Sequence, residues 1–141
     1  MKKKFVCCSV LLLSALSFVN VANADTLDIT SSMPRSAGVS LDDNGKIISV
    51  TDHKLLDTES PLARTTINYK RARWVYYVET FPNTAWGNKR STSNFNHYDY
   101  WHSSTAKVGS KQSTRTNTAN KYSLASVTGS SNYTAEAYYN Y

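Results

Sequence analysis

Cysteine is scarce in this chain of 141 residues, and what little there is comes early. Its two cysteines, Cys7 and Cys8, are followed by none. That excludes a thiol nucleophile and any disulfide beyond position 8. A small exported domain usually relies on disulfides, so this one has to be held by packing alone, or by packing plus a partner subunit in a homodimer. The five glycines build neither a phosphate-cradling loop nor a Gly-x-Ser-x-Gly nucleophile elbow. Acidic residues thin out too: after Asn68 there are only Glu79, Asp99 and Glu136, which leaves no evident facing pair for glycoside hydrolysis. His53 stands alone. His97 and His102, five apart, would fall on opposite faces of a strand with no third ligand in view. These absences argue against an enzyme, a metal site and a bound cofactor.

What is present begins with an export signal. Lys2, Lys3 and Lys4 precede an apolar run from Phe5 to Val19, and Ala22-Asn23-Ala24 is a small-x-small site placed for cleavage between Ala24 and Asp25. The run is short for a stable membrane span. Cys7 and Cys8 stand at its start, badly placed to carry a lipid, and would leave with residues 1–24. No later apolar segment or sorting signal follows, so the expected location is extracellular, in the manner of a Gram-positive product.

The exported part divides in composition. Between Asp25 and Asn68 there is no aromatic residue, and four basic side chains face seven acidic ones, net −3. Between Tyr69 and Tyr141, nine basic residues face three acidic ones, net +6. This asymmetry suggests an acidic pro-segment or linker over 25–72 with weak local structure, ahead of a basic, aromatic-rich domain over 73–141. Within the acidic part, Val39–Leu41 and Lys46–Val50 flank Asp42-Asp43-Asn44-Gly45, a hairpin with Asn-Gly at its tip. Lys70-Arg71-Ala72-Arg73 at the join reads either as a solvated charge run or as a processing site.

The later part is β throughout. Trp74–Val78 reads as a buried strand, and Phe95–Trp101 as a second, paired with Thr105–Val108 through Gly109-Ser110. Ser110–Asn120 is wholly polar, a loop or a flat edge. Lys121–Thr128 and Tyr133–Tyr141 flank Gly129-Ser130-Ser131-Asn132 as a hairpin connection. In the last segment Tyr133, Ala135, Ala137, Tyr139 and Tyr141 alternate strictly with Thr134, Glu136, Tyr138 and Asn140, which predicts a strand with one buried face. Five or six short strands without helical periodicity predict an all-β fold, a small antiparallel β-sandwich of two sheets, with a small closed β-barrel as the alternative.

The expected functional surface is one for binding. Trp86, Tyr98, Tyr100, Trp101, Tyr138 and Tyr139 lie among Lys89, Arg90, Lys107, Lys111, Arg115 and Lys121. Aromatic rings interleaved with cations stack on rings and hold phosphates. The ligand-binding candidates are Trp86, Tyr98, Trp101, His102, Lys107, Tyr138 and Tyr139. Export argues against nucleic acid and for an anionic component of a bacterial envelope.

With those residues in view, the C-terminal part resembles the lactococcin 972 family of secreted bacteriocins. The resemblance runs from Trp74 or Trp86 to Tyr141. It rests on that Trp, on Ser93-Asn94-Phe95-Asn96-His97-Tyr98, on His102-Ser103-Ser104-Thr105-Ala106-Lys107-Val108, on Ala125-Ser126-Val127 and on the closing Tyr138-Tyr139-Asn140-Tyr141. Asp99-Tyr100-Trp101 and the acidic segment depart from the family pattern, as does Tyr141 where the family ends in Trp. The resemblance implies a β-sandwich, export, and non-enzymatic inhibition of related Gram-positive bacteria through a cell-wall precursor such as lipid II. A secreted adhesion or matrix module that assembles by strand addition is the alternative. The export signal predicts that mass spectrometry of the protein recovered from culture medium finds a chain beginning at Asp25; one retaining Met1–Ala24 would contradict it.

Overall fold

The structure is a computed structural model that describes residues 25–55, 64–81 and 87–141. The export signal, Ala24 of its cleavage site and Trp86 lie outside those residues. The strands are β1 (Asp25–Ile29), β2 (Ser36–Leu41), β3 (Ile47–Val50), β4 (Arg64–Tyr69), β5 (Ala72–Phe81), β6 (Asn88–His97), β7 (His102–Val108), β8 (Lys111–Asn117), β9 (Ser123–Ser130) and β10 (Ala135–Asn140). They form two sheets in the orders β1-β4-β5-β6-β9 and β3-β2-β10-β7-β8, hereafter A and B. All pairings are antiparallel except β1 with β4. The sheets stack as a β-sandwich and do not close into a barrel.

The alternation of each strand decides which side chains meet between the sheets. Sheet A contributes Ile67, Tyr69, Trp74, Tyr76 and Phe95; sheet B contributes Val39, Leu41, Val108, Ala135, Ala137 and Tyr139, all buried. Tyr139 is the central piece. Its ring stacks on Phe95 (centroids 4.3 Å apart, 18° between planes) and meets Trp74 edge-on at 4.9 Å and Tyr69 at 5.9 Å. Its hydroxyl lies 3.2 Å from that of Tyr69 and 3.3 Å from the Pro34 carbonyl oxygen. Burial pushes the Tyr69 hydroxyl up to about 12 and raises that of Tyr139 as well.

Beside this aromatic half the core is small and polar. Buried Ser91 and Ser93 of β6 donate across the gap to the Glu136 and Tyr138 carbonyl oxygens of β10, at 2.7 and 2.8 Å. Ser93 also accepts the Trp74 indole N–H at 2.9 Å. Ser104 of β7 meets Ser123 of β9 at 2.6 Å, and Ser123 donates to the Phe95 carbonyl at 3.0 Å. Serine and alanine let the backbones approach closely. The hydroxyls then satisfy polar groups that water cannot reach.

Three expectations change. Residues 25–55, expected to be weakly structured ahead of a domain at 73–141, supply β1, β2 and β3, and β2 is hydrogen-bonded along the whole of β10. Their Asp42–Gly45 hairpin forms as expected, with the Asp42 carboxylate accepting the Asn44 and Lys46 amides at 2.9 and 2.8 Å. A lone hairpin is marginal in water, and tertiary pairing makes this one part of the sandwich. Second, β6 and β7 are not paired; the chain leaves sheet A at His97 and enters sheet B at His102. Third, β9 and β10 likewise lie in different sheets. Within β9, Gly129 lets the two sheets approach closely, since a Cβ there would fall 2.6 Å from Val108 Cγ1 of β7. Period-2 patterning reports a buried face but not which sheet carries it. Ser110–Asn120 contains the polar edge strand β8, and Lys70-Arg71 is the tight turn between β4 and β5.

Because Ala37, Val39, Leu41, Ile67 and Tyr69 come from before residue 72, residues 73–141 alone are expected not to fold. Each lost Val, Leu, Ile or Tyr removes about 1.5–3 kcal/mol of burial, against a total stability of about 5–15 kcal/mol. Circular dichroism of that fragment should show no cooperative thermal transition. A sharp one would mean that the acidic segment is dispensable.

Candidate binding surface

The crossing from β6 to β7 is a four-residue corner, Tyr98-Asp99-Tyr100-Trp101, without glycine or proline. Its side chains are the most exposed group of large rings among the described residues: Tyr98 is 41% exposed, Tyr100 60% and Trp101 69%. The backbone beneath them is tightly held. Tyr98 N–H donates to the Arg71 carbonyl at 3.0 Å. The Asp99 and Tyr100 amides both donate to His97 Nδ1, at 3.1 and 3.3 Å. The buried His102 ring places Nδ1 2.9 Å from the Tyr100 carbonyl oxygen and Nε2 2.7 Å from that of Lys121. The Asn120 amide closes the ring of contacts on the His97 carbonyl at 2.8 Å.

Charge completes the frame. The Arg71 guanidinium grips both Asp99 oxygens, with Nε 2.7 Å from Oδ2. That fork holds the Asp99 carboxyl below its usual range. Burial lowers the affinity of His97 for a proton, with Asp99 opposing and His102 and Arg71 reinforcing. A neutral His97 is also what the geometry needs, because Nδ1 must keep a lone pair for the two amides. The His97 ring packs at a tilt against Tyr100 and Tyr141, at 5.0 and 4.3 Å between centroids. They form one wall of a recess of about 400 Å³ whose rim carries Lys70 and Arg71.

The predicted ligand-binding residues separate into three places. Tyr98 and Trp101 stand together at the corner. His102 and Tyr139 are 2% exposed each: His102 fastens the corner from inside, and Tyr139 belongs to the core because strand alternation turns it inward. Lys107 and Tyr138 lie on the outer face of sheet B, where both meet the Glu136 carboxylate, Lys107 at 3.0 Å and Tyr138 through its hydroxyl. The Tyr138 hydroxyl is pushed up to about 12 by burial and by that carboxylate. Among the cations expected beside them, Lys89 is buried and ion-paired with Asp43 on the β2–β3 turn, and Arg90 lies 3.5 Å from Glu79. His97 and His102 sit on different strands, both facing inward, and not on opposite faces of one strand.

Sequence reasoning left Arg71, Asp99 and Tyr100 out of the candidate set. The signal for the corner was weak, since Tyr-Asp-Tyr-Trp continues the aromatic run and lacks a turn-forming glycine. Among the described residues no group of three histidine, cysteine, aspartate or glutamate side chains gathers to hold a metal ion, and no helix is long and apolar enough to cross a membrane. No family model matches the chain, and neither a curated protein nor a solved structure is similar enough to it to register as a match.

The His97 arrangement has a pH signature. Its proton affinity is depressed on folding from an ordinary value of about 6.5, so the unfolded chain takes up a proton first as pH falls. Its contribution to stability is complete above about pH 6.5 and is lost as pH drops through the lower folded value. Thermal melts at about pH 7.5 and about pH 5 should show a lower Tm at the acidic value. His97→Asn, whose side-chain oxygen can accept the same amides, should narrow that difference; an unchanged difference would remove His97 as its source.

Proposed function

We propose that the protein is an exported, non-enzymatic antibacterial that binds an anionic envelope component of related Gram-positive bacteria through the Tyr98–Trp101 corner. The carrying observation is a Trp and two Tyr side chains held in solvent on a backbone fixed by hydrogen bonds to Arg71, His97 and His102. Large rings presented without freedom to reorganise lose little entropy on binding, the property that makes Trp and Tyr dominate interfaces. Lys70 and Lys121 flank them in the adjoining turns, and the resemblance of Ser93–Tyr98 and His102–Val108 to lactococcin 972-like bacteriocins supports a wall precursor such as lipid II as the ligand. Its pyrophosphate suits the cations, and its sugars suit the rings.

Assembly by strand addition is less well supported. Edge strand β8 carries Lys111 and Arg115 opposite the buried Val108 and Ser104. Charges at such positions guard an edge against further pairing.

Growth inhibition of related Gram-positive indicator strains tests the reading. The double change Tyr98→Ala with Trp101→Ala should weaken inhibition and binding to precursor-bearing vesicles at least about tenfold, the loss of about 1.4 kcal/mol. Tm should be nearly unchanged, because both side chains are exposed. Full activity in the double variant would refute the assignment, as would failure of the intact protein to inhibit any such strain.

A further inference from the structure

The outer face of sheet B has a composition of its own. Register places its outward side chains in three rows: Ser36, Asn140, Ser103 and Thr116; Gly38, Tyr138, Thr105 and Thr114; Ser40, Glu136, Lys107 and Gln112. Hydroxyl and amide groups fill nearly every position. The single aromatic ring, Tyr138, stands near the middle.

That ring is placed, not merely exposed. It lies over Gly38 on the neighbouring strand, where a Cβ would come within 2.1 Å of Tyr138 Cδ1. Its hydroxyl is tied to the Glu136 carboxylate two residues before it on the same strand. Gly38 is pinned in turn by Thr51, whose hydroxyl accepts the Gly38 amide at 2.7 Å. Thr105 and Thr114 share a hydrogen bond at 2.9 Å beside the ring. Pro34 and the Thr51–His53 segment rise along one side, and the face becomes an open groove of about 900 Å³. That lies within the range of small-molecule sites, about 300–1,000 Å³.

Charge indicates the class of occupant. The one cation on these rows, Lys107, is neutralised by Glu136 at 3.0 Å, and Asp52 adds a further carboxylate to the rim. The groove therefore offers an anion no attraction, unlike the corner with its flanking lysines. A fixed aromatic ring amid hydroxyl, amide and carboxylate groups complements a ligand with apolar C–H faces and a rim of hydroxyls. We propose that the outer face of sheet B is a saccharide-binding groove that takes an uncharged oligosaccharide across Tyr138, with Gln112, Thr105, Ser103 and Asn140 as hydrogen-bonding partners. It is separate from the corner, so it stands or falls independently of the antibacterial reading.

The test is titration of the full exported chain with neutral oligomers of glucose, mannose and N-acetylglucosamine, and with a uronic-acid oligomer, followed by backbone NMR shifts and calorimetry. A neutral oligomer should bind saturably and shift the amides of β7, β8 and β10. Tyr138→Leu should weaken it about tenfold, or about 1.4 kcal/mol. Gln112→Ala, on an exposed edge strand where folding is not at risk, should weaken it severalfold. Absence of saturable binding by every neutral oligomer would overturn the proposal. So would binding of the uronic-acid oligomer alone, shifts confined to Tyr98–Trp101, or affinity unchanged in both variants.

Discussion

The contact on which the rest of this molecule depends is the insertion of Tyr139 between Phe95, Trp74 and Tyr69. Without disulfides, two five-stranded sheets have to be joined through their side chains alone. One ring from sheet B fills the space framed by three from sheet A, and its hydroxyl still finds partners at that depth. Burial of several large aromatic surfaces supplies the non-directional part of the stability. The edge-on and stacked geometry fixes how the sheets lie over one another.

The small residues beside that cluster have the complementary task. Ser91, Ser93 and Ser104 bridge the sheets by hydroxyl-to-carbonyl bonds where no large side chain fits. Aromatic packing and the close serine contacts beside it leave the sheets little freedom to slide. The outer features rest on that rigidity. The corner at Tyr98–Trp101 hangs from His97 and His102, whose rings pack against Phe95, so the exposed rings are coupled to the core. Tyr138, one residue before Tyr139, is held outward by the same alternation that holds its neighbour in.

Much of this was legible in the order of residues. The alternation of the last strand located both Tyr139 and Tyr138, although only the structure says that Tyr139 has the dry face. Trp74–Val78 was legible as a buried strand, Asp42–Gly45 as a turn, and the two-sheet sandwich as the fold. The place of residues 25–55 was not legible: short apolar stretches without aromatics look weak until a partner such as β10 is present. Tyr98 and Trp101 were recognisable as binding candidates by residue type. His102 and Tyr139 were equally aromatic and equally close to cations, and nothing local distinguishes a ring that faces water from one that fills a core.

The sequence by itself determined that no disulfide forms after position 8 and that the last strand alternates, with one buried side. These follow from composition and from the two-residue repeat of extended backbone, both local properties. Tertiary structure alone decided which sheet each strand joins, that the chain changes sheets at Tyr98–Trp101 and between Ser130 and Ala135, and that Lys107 is neutralised while the corner aromatics are left in solvent. Those outcomes depend on long-range pairing and on the space between backbones, which residues distant in sequence settle together.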